Sequence, residues 1–218
     1  MNRHFFVTAC AVSFLISNSA WAQSGLIISH VIGDNGVPVA DAVVVAVPDG
    51  GPPPLPKSPR TEIMDQVDKE FVPKVEPILV GSLVQFPNKD NVRHQVYSFS
   101  LPKTFELPLY AGTPSAPMLF DKPGVVVLGC NIHDWMLGYI YVSESPYFAK
   151  TDVGGVAEIH LPVGAYKVRV WHPQLQGTGE STQQSVQVST STQLSWNLKL
   201  KREIRVRRAP AAGNDSLY

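Results

Sequence analysis

Cysteine and charge are both scarce in this sequence. It holds two cysteines and 17% charged residues, with as many basic as acidic side chains and a formal net charge of +0. Without a basic excess the chain cannot neutralise a run of phosphates, which argues against a nucleic-acid partner. Long apolar runs are missing too: the longest, residues 5–16, falls short of the ~20 residues a spanning helix needs. With 44% hydrophobic residues and mean hydropathy +0.01, the chain is neither disordered nor a polytopic membrane protein. Helical periodicity is absent, and no Ser-His-Asp set, paired-carboxylate motif or phosphate-binding glycine loop stands out. What remains is abundant: 19 prolines and 16 glycines punctuate short runs of Val, Ile, Tyr and Phe that alternate with polar residues. That texture predicts an all-β protein.

The short apolar run is itself informative. Arg3 precedes it, Ser17, Asn18 and Ser19 interrupt it, and Ala20-Trp21-Ala22 places small residues before Gln23. This pattern predicts a cleavable signal peptide over residues 1–22 and an exported, periplasmic protein with no stable membrane insertion. Cleavage would remove Cys10 and leave Cys130 unpaired. In an exported protein a lone cysteine implies an intermolecular disulfide, a reactive thiol or a metal ligand.

Strands are predicted at 25–31, 41–47, 78–86, 94–100, 125–129, 138–142, 157–161, 165–171, 185–188 and 193–198. These exceed the ~7 strands of one sandwich, so two sandwiches are expected. A Pro-rich linker spans 51–60 (Gly51-Pro52-Pro53-Pro54-Leu55-Pro56 at its start), and a second seam contains Pro146. Between them lies a central block, 61–145. The flanks 25–50 and 147–200 together have the length of one sandwich, which favours pairing them and reading the block as an insertion. The alternative is that the first flank joins the block. The flanks resemble the carboxypeptidase regulatory-like fold, an immunoglobulin-like sandwich. The likeness rests on Asp34-Asn35-Gly36-Val37-Pro38-Val39-Ala40-Asp41-Ala42-Val43-Val44-Val45, on Thr151-Asp152-Val153-Gly154-Gly155 and on Leu161-Pro162-Val163-Gly164-Ala165-Tyr166. It implies no chemistry. Residues 201–218 form a basic tail, for which a solvated chain end is the default and docking to an acidic surface the alternative.

The chemistry gathers where the central block ends, in Cys130-Asn131-Ile132-His133-Asp134-Trp135-Met136 between two apolar strands. A thiolate, an imidazole and a thioether select copper over magnesium or calcium, which take oxygen donors, and suit structural zinc poorly. A fourth ligand can come from His94 at the start of a strand. Two imidazoles, a thiolate and a weak axial thioether are the blue-copper set used for one-electron transfer. Met64 and Met118 are read as packing residues. His30, His160 and His172 have no ligand-like partners. Trp135 is either core or part of an apolar patch by which a redox partner reaches His133.

On these residues the block 61–145 resembles the cupredoxins of the plastocyanin and amicyanin group. Cys130-x2-His133-x2-Met136 has the amicyanin-like spacing, and Val84-Gln85-Phe86-Pro87-Asn88 followed by His94 matches the first-ligand segment. The resemblance implies a Greek-key sandwich holding one type 1 copper ion through His94, Cys130, His133 and Met136. It also implies a monomeric electron carrier, not an enzyme, serving redox partners that the sequence does not identify. Copper binding or handling without electron flow, or a metal-free structural module, are the other readings. There are two departures. Gln95 follows His94 where relatives carry Asn to tie the ligand loops together, a role left to Asn91 or Asn131. Asp134 stands where Pro is common, and its carboxylate is expected to lower the reduction potential.

Overall fold

The computed structural model describes residues 23–114 and 116–202; the expected signal peptide, Cys10 and residues 203–218 of the basic tail lie outside the described residues. The chain is all-β as expected, with seventeen strands and one short 3-10 turn, Gly179–Thr182, among the described residues. The first flank supplies β1 (Ser24–Gly33) and β2 (Val43–Pro48). The central block supplies β3 (Thr61–Ile63), β4 (Asp65–Val67), β5 (Glu70–Val72), β6 (Val75–Leu79), β7 (Ser82–Gln85), β8 (His94–Ser100), β9 (Lys103–Tyr110), β10 (Met118–Phe120), β11 (Gly124–Gly129) and β12 (Leu137–Ser143). The second flank adds β13 (Phe148–Lys150), β14 (Val156–Pro162), β15 (Gly164–Trp171), β16 (Gln184–Val188) and β17 (Ser191–Leu198).

Strand β1 pairs antiparallel with β14 and parallel with β17. A facing sheet has the order β13-β2-β15-β16. Alternation sends Ile27 and Val31 of β1, Ile159 of β14 and Trp196 of β17 inward from the first sheet, to meet Val44, Ala46, Val168 and Val170 from the second. In the central block a five-stranded sheet, β6-β12-β11-β8-β9, shares a core with the three-stranded sheet β10-β7-β3. Phe71, Phe86, Phe120, Leu128 and Ile140 fill it, and Cys130 and Met136 belong to the same buried cluster.

The expected strand over 78–86 is two strands. Gly81 has φ +87°, and the turn it makes carries the chain from β6 in the larger sheet to β7 in the smaller. Periodicity alone does not expose such a crossing, because both halves are apolar. The short pieces β3, β4, β5, β10 and β13 are also absent from the expected strands, as is β9, where Lys103, Glu106 and Pro108 blur the alternation.

Strands β2 and β12 are apolar on both faces for a shared reason. Val44 and Ala46 enter one core and Val142 the other, while Val43, Val45 and Tyr141 form a third cluster with Val75. Tyr139, Phe148 and Trp171 pack around that third cluster, Trp171 lying 5.9 Å from Tyr139 and 5.4 Å from Tyr141 between ring centroids. Polar ties cross the same seam: Ser145 Oγ donates to Ala46 O (2.6 Å), Lys150 Nζ to Val75 O (2.9 Å), and Arg169 pairs with Glu144 (2.5 Å).

Glu76 of β6 feels this burial. Desolvation, assisted by the nearby Glu62 charge and opposed by Lys150, raises its carboxyl from 4.5 to about 7. A group whose folded pKa is raised favours the fold fully below its unfolded pKa, and that contribution is lost as pH rises through the folded value. Stability should therefore fall between pH 4.5 and about 7 by about 1–2 kcal/mol, the full linkage being reduced by solvent screening at this partly exposed group. Thermal melts of Glu76→Gln across that window should show the fall flattened; an unchanged slope would assign it to other groups.

Candidate metal centre

The hairpin β11–β12 runs in unbroken register from Gly124↔Val142 to Gly129↔Leu137, so residues 130–136 form the loop at its end. Inside that loop Met136 N–H donates to His133 O (2.9 Å), closing a tight turn. The loop thereby sets Cys130 and Met136 into the core, at 4% and 2% exposure, while leaving the His133 ring half-buried at the surface. Gly129 precedes the cysteine because Tyr97 lies over it: a Cβ there would sit 2.6 Å from the tyrosine ring.

His94 arrives from the neighbouring strand. The β8–β9 ladder slips between His94 and Val96, with His94 opposite Tyr110 but Val96 opposite Leu107. Such an irregularity re-aims side chains at the end of a strand. Here His94 and Val96 are both fully buried, and the main-chain N–H of Gln95 is released to the Cys130 sulfur. Gln95's own amide donates to Glu106 on β9 (2.6 Å), so its side chain ties β8 to β9 and leaves the ligand loops to other residues. Asn131 is exposed.

Cys130 Sγ lies 4.0 Å from His94 Nδ1 and 3.9 Å from His133 Nδ1. Donor atoms of all three side chains lie within 4.8 Å of one another. The two imidazole rings meet edge-on at 4.9 Å, and His133 in turn touches Trp135 at 5.2 Å. Met136 is buried in the same cluster as Cys130. Met64 is fully buried in that cluster and Met118 packs against it, while His30 and His160 are exposed on the other sandwich.

The electrostatics differ among the three donors. Burial pushes the Cys130 thiol up, but His94 and the N–H groups of Gln95 and Ile132 outweigh it and hold the thiol below its ordinary value. Burial likewise pushes His94 down, yet its bonds to Cys130 and Asp90 bring it above the usual imidazole range. His133 is lowered by burial and by the positive charges of His94 and Lys69. Tyr110 is pushed up to about 12, chiefly by burial; Gln66 donates to its hydroxyl, which donates to Phe86 O (2.7 Å).

Copper fits these residues. A thiolate with two imidazole Nδ1 atoms 3.9 and 4.0 Å from its sulfur is a donor set of the kind that copper would take in electron-transfer sites.

Sequence reasoning did not find Asp90. Its carboxylate accepts from His94 Nε2 at 2.7 Å, and the only sign was an acid four residues before the histidine, a spacing common by chance.

No protein-family model and no curated protein matches the chain. Solved structures do. A Cu-containing nitrite reductase from Thermus scotoductus SA-01 is 33% identical over 41% of this chain, with TM-score 0.36, and the chain spans only 23% of that protein. A purple cupredoxin from Nitrosopumilus maritimus is 24% identical over 38% of this chain and 99% of its own, with TM-score 0.33. A single-site mutant of amicyanin in its Cu(I) form is 17% identical over 37% of this chain and 80% of its own, with TM-score 0.34. Over part of its length, the chain is similar to copper proteins of the cupredoxin type.

Proposed function

We propose that this chain is an exported, monomeric copper protein that carries single electrons between redox partners in the periplasm and catalyses no reaction of its own. The observation that carries the reading is the Cys130, His94 and His133 triangle, with one imidazole fully buried and the other half-exposed. Copper held there would supply a one-electron couple.

The protein's part is to hold the donors still. Cys130 presents a sulfur that accepts from two main-chain N–H groups, which favour its thiolate form. His94 is fixed from behind by a carboxylate, and His133 is fixed by the turn closed by Met136. Met136 would add a weak thioether donor, and strands β8, β11 and β12 resist rearrangement between oxidation states. The half-exposed edge of His133, beside exposed Ile132 and Leu137, gives a partner its shortest approach. Among the described residues no helix is long and apolar enough to cross a membrane.

Cu(II) titration of the purified protein, followed by visible absorption, electron spin resonance and potentiometry, tests the reading. An intense thiolate-to-copper band with a reversible one-electron couple is expected. A colourless protein that binds only Cu(I) would point to copper handling, and no binding would end both readings.

Asp134 is exposed beside His133. A unit charge close to a ligand in a water-like dielectric is worth roughly 0.5 kcal/mol, or roughly 20 mV in a one-electron potential. Asp134→Pro should raise the potential by that order; an equal or lower potential in the variant would remove any role for the charge.

A further inference from the structure

Asp90 occupies a position that its own loop does not require. It lies between Asn88 and His94 with a side chain only 11% exposed, and its N–H donates to Asn88 Oδ1 at 3.0 Å. Asn88 is itself fastened, its amide donating to Val92 O and Tyr110 O at 2.9 Å each. From this anchored stem the carboxylate takes three donors. Oδ1 accepts Asp68 N–H at 2.7 Å, and Oδ2 accepts Lys69 N–H at 2.8 Å and His94 Nε2 at 2.7 Å. Asp68 and Lys69, at φ +54° and +61°, are the two-residue turn between β4 and β5, whose last pair is Val67↔Glu70. The carboxylate therefore joins three separate segments: its own loop, the β4–β5 turn and the start of β8.

A carboxylate held by two main-chain donors can only accept from a third group. His94 must then carry a proton on Nε2, so that in the neutral ring the Nδ1 lone pair faces Cys130, 4.0 Å away. We propose that Asp90 is the positioning residue of the metal centre: it fixes the tautomer and ring angle of His94, and its charge, passed through the imidazole, favours the more positive oxidation state of the bound ion. The second part rests on the copper reading above. The β4–β5 turn acts as a buttress, since moving it withdraws two of the donors that hold the carboxylate in place.

Two variants of the full chain, Asp90→Ala and Asp90→Asn, separate positioning from hairpin stapling. In the metal-free protein, 15N NMR of the imidazoles at a pH where His94 is neutral should show one Nε2–H tautomer in the wild type, the same in Asp90→Asn, and a mixture in Asp90→Ala. In chelator competition, Asp90→Ala should bind Cu(II) about 10–100-fold more weakly. Asp90→Asn, which keeps one acceptor oxygen for His94 but loses the charge and the acceptor at Asp68 N–H, should weaken Cu(II) more than Cu(I); a tenfold difference between the two is a rise of about 59 mV in potential. If Asp90→Ala melts earlier but keeps the wild-type tautomer and Cu(II) affinity, Asp90 is a turn staple and the proposal fails. A potential unchanged in Asp90→Asn overturns the role of the charge. If Asp90→Ala does not fold, Asp90→Asn decides through affinity and potential. Should the wild type bind no copper, the copper reading fails by itself, and the tautomers still decide whether Asp90 positions His94.

Discussion

Replacing Cys130 by serine is expected to abolish the visible thiolate-to-copper band and weaken Cu(II) binding by about two to three and a half decades, with the fold intact. Cys130 would supply the one negative donor of the triangle, its thiol being held below its ordinary value by His94 and by two main-chain donors. A serine hydroxyl stays neutral, so a bound cation would lose its one negative donor in a buried position. Removing one partner of a buried charge pair costs about 3–5 kcal/mol, which is about two to three and a half decades in affinity. Stability should change by only about 1 kcal/mol, because the hydroxyl inherits the N–H groups of Gln95 and Ile132 as partners. The check is an optical titration of wild type and variant side by side, with a thermal melt of each. An intense band surviving in Cys130→Ser would place the donor elsewhere and sink the site as drawn.

The donor loop was legible in the sequence because its geometry is local. Three donors within seven residues, bounded by two apolar runs, leave a hairpin end as the simplest place for them, and β11 and β12 flank the loop in register. His94 was legible as a residue type before a strand. Its aim was not, because that depends on a slip in the β8–β9 ladder, and no residue type marks a slip. Asp90 was illegible for a deeper reason: its partners come from the β4–β5 turn and from β8, and a bond between segments leaves no periodic trace. Gln95 shows the converse. The residue type departs from the motif that the sequence resembles, yet the group that reaches the sulfur is its main chain, which every non-proline residue carries.

At the scale of the fold, alternation exposed the long strands and hid the choice of partner. The continuous apolar runs of β2 and β12 carried more information than their hydrophobicity suggested. A strand apolar on both faces is covered on both faces, and these two meet across the third cluster through Val43, Val45 and Tyr141. The ligand hairpin therefore rests its outer face on the flanking sandwich, with Trp171 against Tyr139 and Tyr141. Substitutions in that sandwich should act on the metal centre only through stability, because no described donor comes from it.

Gly155→Ala offers the strongest test of that separation. The turn between β13 and β14 is built on Asp152, whose carboxylate accepts the N–H groups of Gly154 and Val156 at 2.9 Å each, while Gly155 N–H donates to Asp152 O. Gly155 has φ +73°, and its carbonyl accepts Val31 N–H at 2.8 Å. A Cβ there would lie 2.4 Å from Val31 O, 3.1 Å from Val39 N and 3.2 Å from Pro38 Cβ. Val31 O cannot retreat cheaply, since it accepts Val39 N–H and Val31 itself is fully buried. Left-handed backbone costs an L-residue about 1–2 kcal/mol, and forcing a methyl into packed atoms about 1–3 kcal/mol more. The sum, about 2–5 kcal/mol, should lower Tm by roughly 5–15 °C in a chain of this size. Gly36 is the internal control: its φ is nearly the same, +76°, with nothing within 4 Å of its Cβ position. Gly36→Ala should cost only the backbone share, about 1–2 kcal/mol. Equal melting temperatures for the two variants would refute the packing argument. At a temperature where Gly155→Ala is folded, its Cu(II) affinity should match wild type, and a loss there would mean that the flanking sandwich shapes the metal centre directly.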